Sequence, residues 1–115
     1  MTRHYYHKLV RDRIPEIIEE AGGRCETGTY ANADYARALL DKLIEEATEA
    51  RRAAHPDDLV TELADVFEVL DALLAAHNIT PEQVMFRKVA RRHERGGFEA
   101  RTQLLWSEPG ADGGE

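Results

Sequence analysis

Apolar residues recur every three or four positions through the middle of the chain. Ala36, Leu39, Leu40, Leu43, Ile44, Ala47 and Ala50 make one stripe. Leu59, Val60, Leu63, Val66, Phe67, Val69, Leu70, Leu73 and Leu74 make a second, broader one. At roughly 100° per residue, both are helical patterns. They predict a helix from about Ala33 to Ala54, with Asn32 as its cap, broken at His55-Pro56. A second runs from Asp57 or Asp58 to about His77. Two shorter helices flank this pair. The first spans about Ile14 to Ala21, with Asp12 as cap, Pro15 in the first turn and Gly22-Gly23 as the stop. The last starts on a capping box, with Thr80 as cap, Pro81 at the first helical position and Gln83 three residues on, and ends at Gly96-Gly97.

The expected fold is therefore all-α, an antiparallel helical bundle of about four helices. The connections RCETGTYAN and FEARTQLLWS read as extended, and the Arg24–Tyr30 part of the first is a candidate partner for the second in a minor two-stranded ribbon. The broad apolar arc of the Asp57–His77 segment exceeds what one neighbour covers, so the core is expected to be completed by dimerisation. Residues 1–106 read as one domain. The small, glycine-rich end at 107–115 reads as a disordered tail.

Composition narrows the function. The chain has 115 residues, 43% hydrophobic and 32% charged, and a formal net charge of −7. An acidic balance argues against a nucleic-acid polymer as partner, because phosphate backbones require a basic surface. No apolar run reaches the roughly 20 residues of a membrane span. The single cysteine, Cys25, forms no internal pair, which fits a reducing cytoplasm.

The chemistry lies in the carboxylates. LIEEATEA places Glu45, Glu46 and Glu49 within five residues. Helical projection sets Glu46 at the edge of the apolar stripe, Glu49 beside it, and Glu45 rotated further away. On the next helix Glu62 falls inside the apolar half, between Val69 and Leu73, and Asp65 lies just outside its edge. Thr61, Glu68 and Asp71 point elsewhere. An ionised carboxylate facing a core is costly without a partner. If the two helices pair antiparallel, the clusters face each other. Charges about 5 Å apart then repel by roughly 1–3 kcal/mol per pair. Protonation or a cation must relieve this. A hard divalent cation suits oxygen-only ligands, and magnesium takes carboxylates together with substrate phosphates. The bland alternative is a solvated acidic face, with a buried arginine or lysine against Glu62. A di-iron bundle is disfavoured, because no histidine has a glutamate three residues before it.

A basic element complements the acidic one. Lys88, Arg91 and Arg95 share a helix face, and RGGF follows at Arg95–Phe98. Its glycines suit either close approach to an anion or a routine helix cap. KLVRD contributes Lys8 and Arg11 near the N-terminus. Carboxylates for a metal and cations for phosphate together form a toolkit for phosphoanhydride hydrolysis. There is no P-loop motif.

These blocks resemble the MazG-type all-α NTP pyrophosphatase superfamily, and in particular its compact phosphoribosyl-ATP pyrophosphohydrolase-like branch. The acidic motif reads Glu45-Glu46-Ala47-Thr48-Glu49, then Glu62-Leu63-Ala64-Asp65, between YHKLVRDRIPEII and RGGFEAR. The resemblance implies Glu46, Glu49, Glu62 and Asp65 as metal ligands, for magnesium or else manganese. It leaves Glu45 to orient the attacking water or hold a further metal. It gives Lys88, Arg91 and Arg95 to phosphate, with Lys8 and Arg11 assisting. It implies a homodimer or dimer of dimers that splits a nucleoside triphosphate into monophosphate and pyrophosphate, in nucleotide-pool house-cleaning. The alternatives are a phosphoribosyl-ATP pyrophosphohydrolase and a non-enzymatic acidic module for nucleotide sensing or interaction.

Overall fold

The computed structural model describes residues 2–110. These contain four helices, α1 (Ile14–Glu20), α2 (Asn32–Arg52), α3 (Pro56–Ala76) and α4 (Pro81–Arg95), and no strand. The all-α expectation holds. The chain divides after Pro81 into two units.

In the first unit α2 and α3 fold back on each other as a hairpin. Pro56 causes the break between them. It forces His55 into an extended conformation (φ −127°, ψ 152°) and then occupies the first turn of α3, where its missing N–H costs nothing. Charges suit the helix dipoles. Asp34 lies in the first turn of α2 and Arg51 and Arg52 in its last, while Asp57 and Asp58 open α3. Leu39 of α2 and Val69 of α3 are the buried apolar side chains among the described residues. Much of the apolar pattern stays open. Leu40 and Ile44 on α2 and Val60 and Phe67 on α3 are each more than half exposed.

Both α1 and α3 stop on a left-handed residue. Gly22 (φ +89°) follows α1, with Gly23 N–H donating to the Ile18 carbonyl at 2.9 Å and Gly22 N–H to that of Glu19 at 2.9 Å. Asn78 (φ +54°) follows α3, with Ile79 N–H donating to Leu74 at 2.9 Å and Asn78 N–H to Ala75 at 3.3 Å. Each pair of bonds satisfies carbonyls that the last helical turn leaves open.

Three local expectations are corrected. Asp12 is not the cap of α1. That position is Arg13, which has helical dihedrals, and the chain enters through a turn in which Ile14 N–H donates to the Arg11 carbonyl at 3.0 Å. Asn32 is not the cap of α2 but its first helical residue. Ala31 takes the extended cap geometry, and its carbonyl accepts the Tyr35 N–H at 2.8 Å. The two-stranded ribbon is absent from the described residues. Arg24–Tyr30 is exposed and joins no ladder, and in the other segment a turn at Phe98–Arg101, with Arg101 at φ +56°, breaks the extended run.

The second unit holds α4 and an irregular segment. Gly96 (φ +81°) closes the helix, its N–H donating to the Arg92 carbonyl at 2.7 Å. Of the tail expected at 107–115, residues 107–110 are exposed and irregular, and 111–115 lie outside the described residues. No helix is long and apolar enough to cross a membrane.

Candidate functional site

The α2–α3 hairpin brings Glu46 against Glu62 and Asp65. One carboxylate oxygen of each lies within 4.8 Å of the other two. Glu46 is almost buried, at 9% exposure, and the other two are partly covered. Glu45 and Glu49 flank this trio on α2. Glu49 pairs with Arg52 at 3.5 Å, yet its charge still reaches Glu62.

Cations surround the site unequally. Lys42 Nζ lies 3.4 Å from Glu45 and 3.5 Å from Glu46. Lys8 Nζ donates to Glu45 at 3.2 Å, and Arg11 Nη2 donates to Asp65 Oδ1 at 2.7 Å. The N-terminal segment is thus strapped across both helices of the hairpin. Glu62 is the exception, with no ion pair or hydrogen bond to its side chain among the described residues. The buried arginine or lysine that the bland alternative required is not against it.

Electrostatics follow this geometry. Glu62 titrates above the usual carboxylate range, through desolvation and through repulsion by Asp65, Glu46, Glu49 and Asp58. Glu45 shows the opposite balance. Partial burial pushes its carboxyl up, but hydrogen bonds and charge from Lys8 and Lys42 outweigh this and hold it below the usual range. Glu45 is therefore firmly ionised at neutral pH, whereas Glu62 carries the stress of the cluster.

The trio fits a divalent cation. Its donors are hard oxygens, and the ligand nearest the core is the one a lysine only partly neutralises. Oxygens held about 2.1 Å from an octahedral magnesium lie about 3–4 Å apart. The trio's oxygens, within 4.8 Å of one another, lie near that spacing.

On the second unit Lys88, Arg91 and Arg95 are exposed along α4 at spacings of three and four. The RGGF glycines have local roles. Gly96 caps the helix, and a Cβ on Gly97 would collide with the Arg92 guanidinium, which pairs with Glu99. That pairing holds the Glu99 carboxyl below its usual range.

Two features escaped the sequence reading. His7, an exposed residue, adopts a left-handed backbone (φ +47°) and lines a groove with Tyr30 and Asp41. The pairs Lys8–Glu45 and Arg11–Asp65 join residues 37 and 54 positions apart, beyond any periodic pattern.

An all-α chain with a hairpin of facing carboxylates is consistent with the MazG-type all-α NTP pyrophosphatase superfamily, to which the matching family belongs. Residues 12–93 match the phosphoribosyl-ATP pyrophosphohydrolase family, and the chain belongs to it. It is 34% identical over 96 residues to a phosphoribosyl-ATP pyrophosphatase of Methylococcus capsulatus, across 78% of this chain and 90% of that protein. It is 34% identical over 100 residues to one from Bordetella avium, across 82% of this chain and 84% of that protein. No solved structure gives a significant match. The chain is a hydrolase of nucleotide phosphoanhydride bonds, and the non-enzymatic alternative falls with this membership.

The raised Glu62 carboxyl makes a stability prediction. Well below its usual value of 4.5, Glu62 is protonated in both folded and unfolded chains. As pH rises through that value the unfolded chain releases its proton first. Stability falls until the folded carboxyl ionises too, and the penalty then persists. In EDTA at pH 7, Glu62→Gln is therefore expected to melt above the wild type, with the gain vanishing near about pH 4. Magnesium is expected to raise the wild-type melting temperature and to do so much less in the variant. A variant that melts below wild type at pH 7 in EDTA contradicts the repulsion.

Proposed function

We propose that the chain hydrolyses phosphoribosyl-ATP between its α- and β-phosphates, giving phosphoribosyl-AMP and pyrophosphate, with magnesium or manganese at the acidic site. The carrying observation is the Glu46–Glu62–Asp65 trio with Glu62 unneutralised, in a chain of this family. The substrate comes from the names of the two relatives.

In this reading Glu46, Glu62 and Asp65 hold the cation, and Glu49 completes the set by rotating away from Arg52. When bound, the metal would polarise the phosphate oxygens and offset the charge that develops on them. Glu45 orients the attacking water. Its Lys8 and Lys42 neighbours keep it ionised, so it accepts a hydrogen bond from water without first losing a proton. Lys8 and Arg11 neutralise phosphate oxygens beside the carboxylates, and Lys88, Arg91 and Arg95 of α4 are further phosphate-binding candidates. Arg11 can serve only if it leaves Asp65, which cation binding favours by taking over that carboxylate's charge.

A broader reading has one observation in its favour. The family match covers residues 12–93, leaving Lys8, Arg11 and the Arg95–Phe98 block outside it. These additions suit a wider range of nucleoside triphosphates, including damaged or non-standard ones, and hence nucleotide-pool house-cleaning. Residues 1–106 act as one functional domain in either case.

Pyrophosphate release from phosphoribosyl-ATP and from a panel of canonical and modified nucleoside triphosphates, with magnesium and with EDTA, tests both. Metal-dependent release from phosphoribosyl-ATP well above the panel supports the first, and preference for a modified triphosphate supports the second. Glu62→Gln is expected to lose at least ~100-fold in turnover, because even outer-shell changes cost 10–100-fold. Release of orthophosphate alone would contradict the site of cleavage.

The reading includes self-association. Leu40, Ile44, Val60 and Phe67 leave an apolar strip open on α2 and α3, which a second copy would cover. Light scattering is expected to give twice the 13.0 kDa chain mass, or four times for a dimer of dimers. Phe67→Asp should shift it to the single-chain mass. A monomeric wild type at micromolar concentration would rule the dimer out.

A further inference from the structure

A groove runs along the N-terminal half of α2, starting beside the carboxylate trio. Its narrow end is a cavity of about 80 Å³ with Lys8, Lys42 and Glu45 in its wall. Lys42 also lies 3.5 Å from Glu46, so this end abuts the trio. The groove then widens to a cavity of about 280 Å³ over Tyr30, Asp41 and Asp34. His7, Tyr30 and Asp41 line both parts. From Asp34 to Glu45 the helix rises about 16 Å. The wide part lies just under the roughly 300 Å³ at which small-molecule pockets begin. That suits a sugar and base better than a whole nucleotide.

The groove is polar in an ordered way. Its end at the trio carries lysines, which attract phosphate. Its far part carries Arg37 and Asp34, paired at 3.9 Å, and between the two parts stands Asp41, whose carboxylate has no cation partner among the described residues. Such a group repels phosphate and can only accept hydrogen bonds, which matches the two donors of a ribose diol. Tyr30 stands in the wall with its hydroxyl bonded to the His7 carbonyl at 3.4 Å. That bond anchors the ring to the strap, at the residue whose left-handed backbone is unusual for a non-glycine.

We infer that this groove seats the ribose and base of the nucleotide, with Asp41 accepting from the ribose hydroxyls and the Tyr30 ring lying against the base. The direction of the nucleotide rests on the proposed function, since phosphates at the trio leave the sugar and base to extend along α2. Stacking on a tyrosine tolerates every base, so the groove reads the sugar more sharply than the base.

The test is direct binding, separate from turnover. Adenosine and uridine 5′-monophosphates and their 2′-deoxy forms are titrated into the full chain in EDTA by calorimetry. The wild type is expected to bind the ribonucleotides more tightly than the deoxy forms. Asp41→Ala should weaken the ribonucleotides by about tenfold and erase that preference. Tyr30→Leu should weaken all four by a similar factor. Both variants should keep wild-type affinity for inorganic pyrophosphate with magnesium, which a merely structural defect would not. Wild-type nucleotide affinity in both variants, or no wild-type binding at millimolar ligand, overturns the groove and leaves the proposed reaction standing. Variant-sensitive binding without turnover on any triphosphate sinks the reaction and supports the groove.

Discussion

Three carboxylates pressed together at the α2–α3 seam are the constraint on which the rest depends. Glu46 is almost buried, and Glu62 and Asp65 face it from the neighbouring helix. The chain offsets part of this charge internally. Lys42 serves Glu46 from one turn away on its own helix, and Arg11 serves Asp65 from the N-terminal strap. Glu62 is left over. A hairpin optimised for stability alone would place an apolar residue there, among Leu59, Leu63 and Val66 of the same helix face. The retained charge is a cost that protonation or a bound cation would remove.

The strap gives the site its second property. Lys8 and Arg11 come from a segment without regular secondary structure, held by side-chain pairs rather than by a backbone ladder. Such pairs are partly exposed and individually weak. In the proposed reaction the same cations would move from carboxylate to phosphate as a metal and a substrate arrive. Lys8 of the strap and Lys42 of α2 both pair with Glu45 in the groove wall, and Lys42 also reaches Glu46 of the trio, so the three features are linked through a few residues.

The long helices were legible because their signal is periodic. The α2 and α3 stripes, the break at Pro56 and the stop at Gly22 all follow from local rules. Helical projection also picked out Glu46, Glu49, Glu62 and Asp65 as the acids nearest the core edge. The hairpin brings Glu46, Glu62 and Asp65 together, while Glu49 pairs with Arg52 beside them. Caps were less legible. Asp12 and Asn32 have the right chemistry, but backbone turns at Arg11–Ile14 and Ala31–Tyr35 set the helix starts one residue away. The ribbon failed because strand pairing is non-local, and alternation in a short exposed run does not compel it. Neither the strap nor the groove had a sequence signal of its own. Both arise from contacts between distant residues, such as Tyr30 with His7, which no window of the chain contains.

The most direct test of the central claim is calorimetric titration of magnesium into the wild-type chain at about pH 5, in two buffers of different ionisation enthalpy. Glu45 is held below and Glu62 above the usual carboxylate range, so in mild acid Glu62 keeps more of its proton than Glu45 does. If the cation binds by relieving repulsion at Glu62, binding must expel that proton, and the measured heat will differ between the buffers. Saturable binding with the same heat in both buffers, or no saturable binding, would contradict the account.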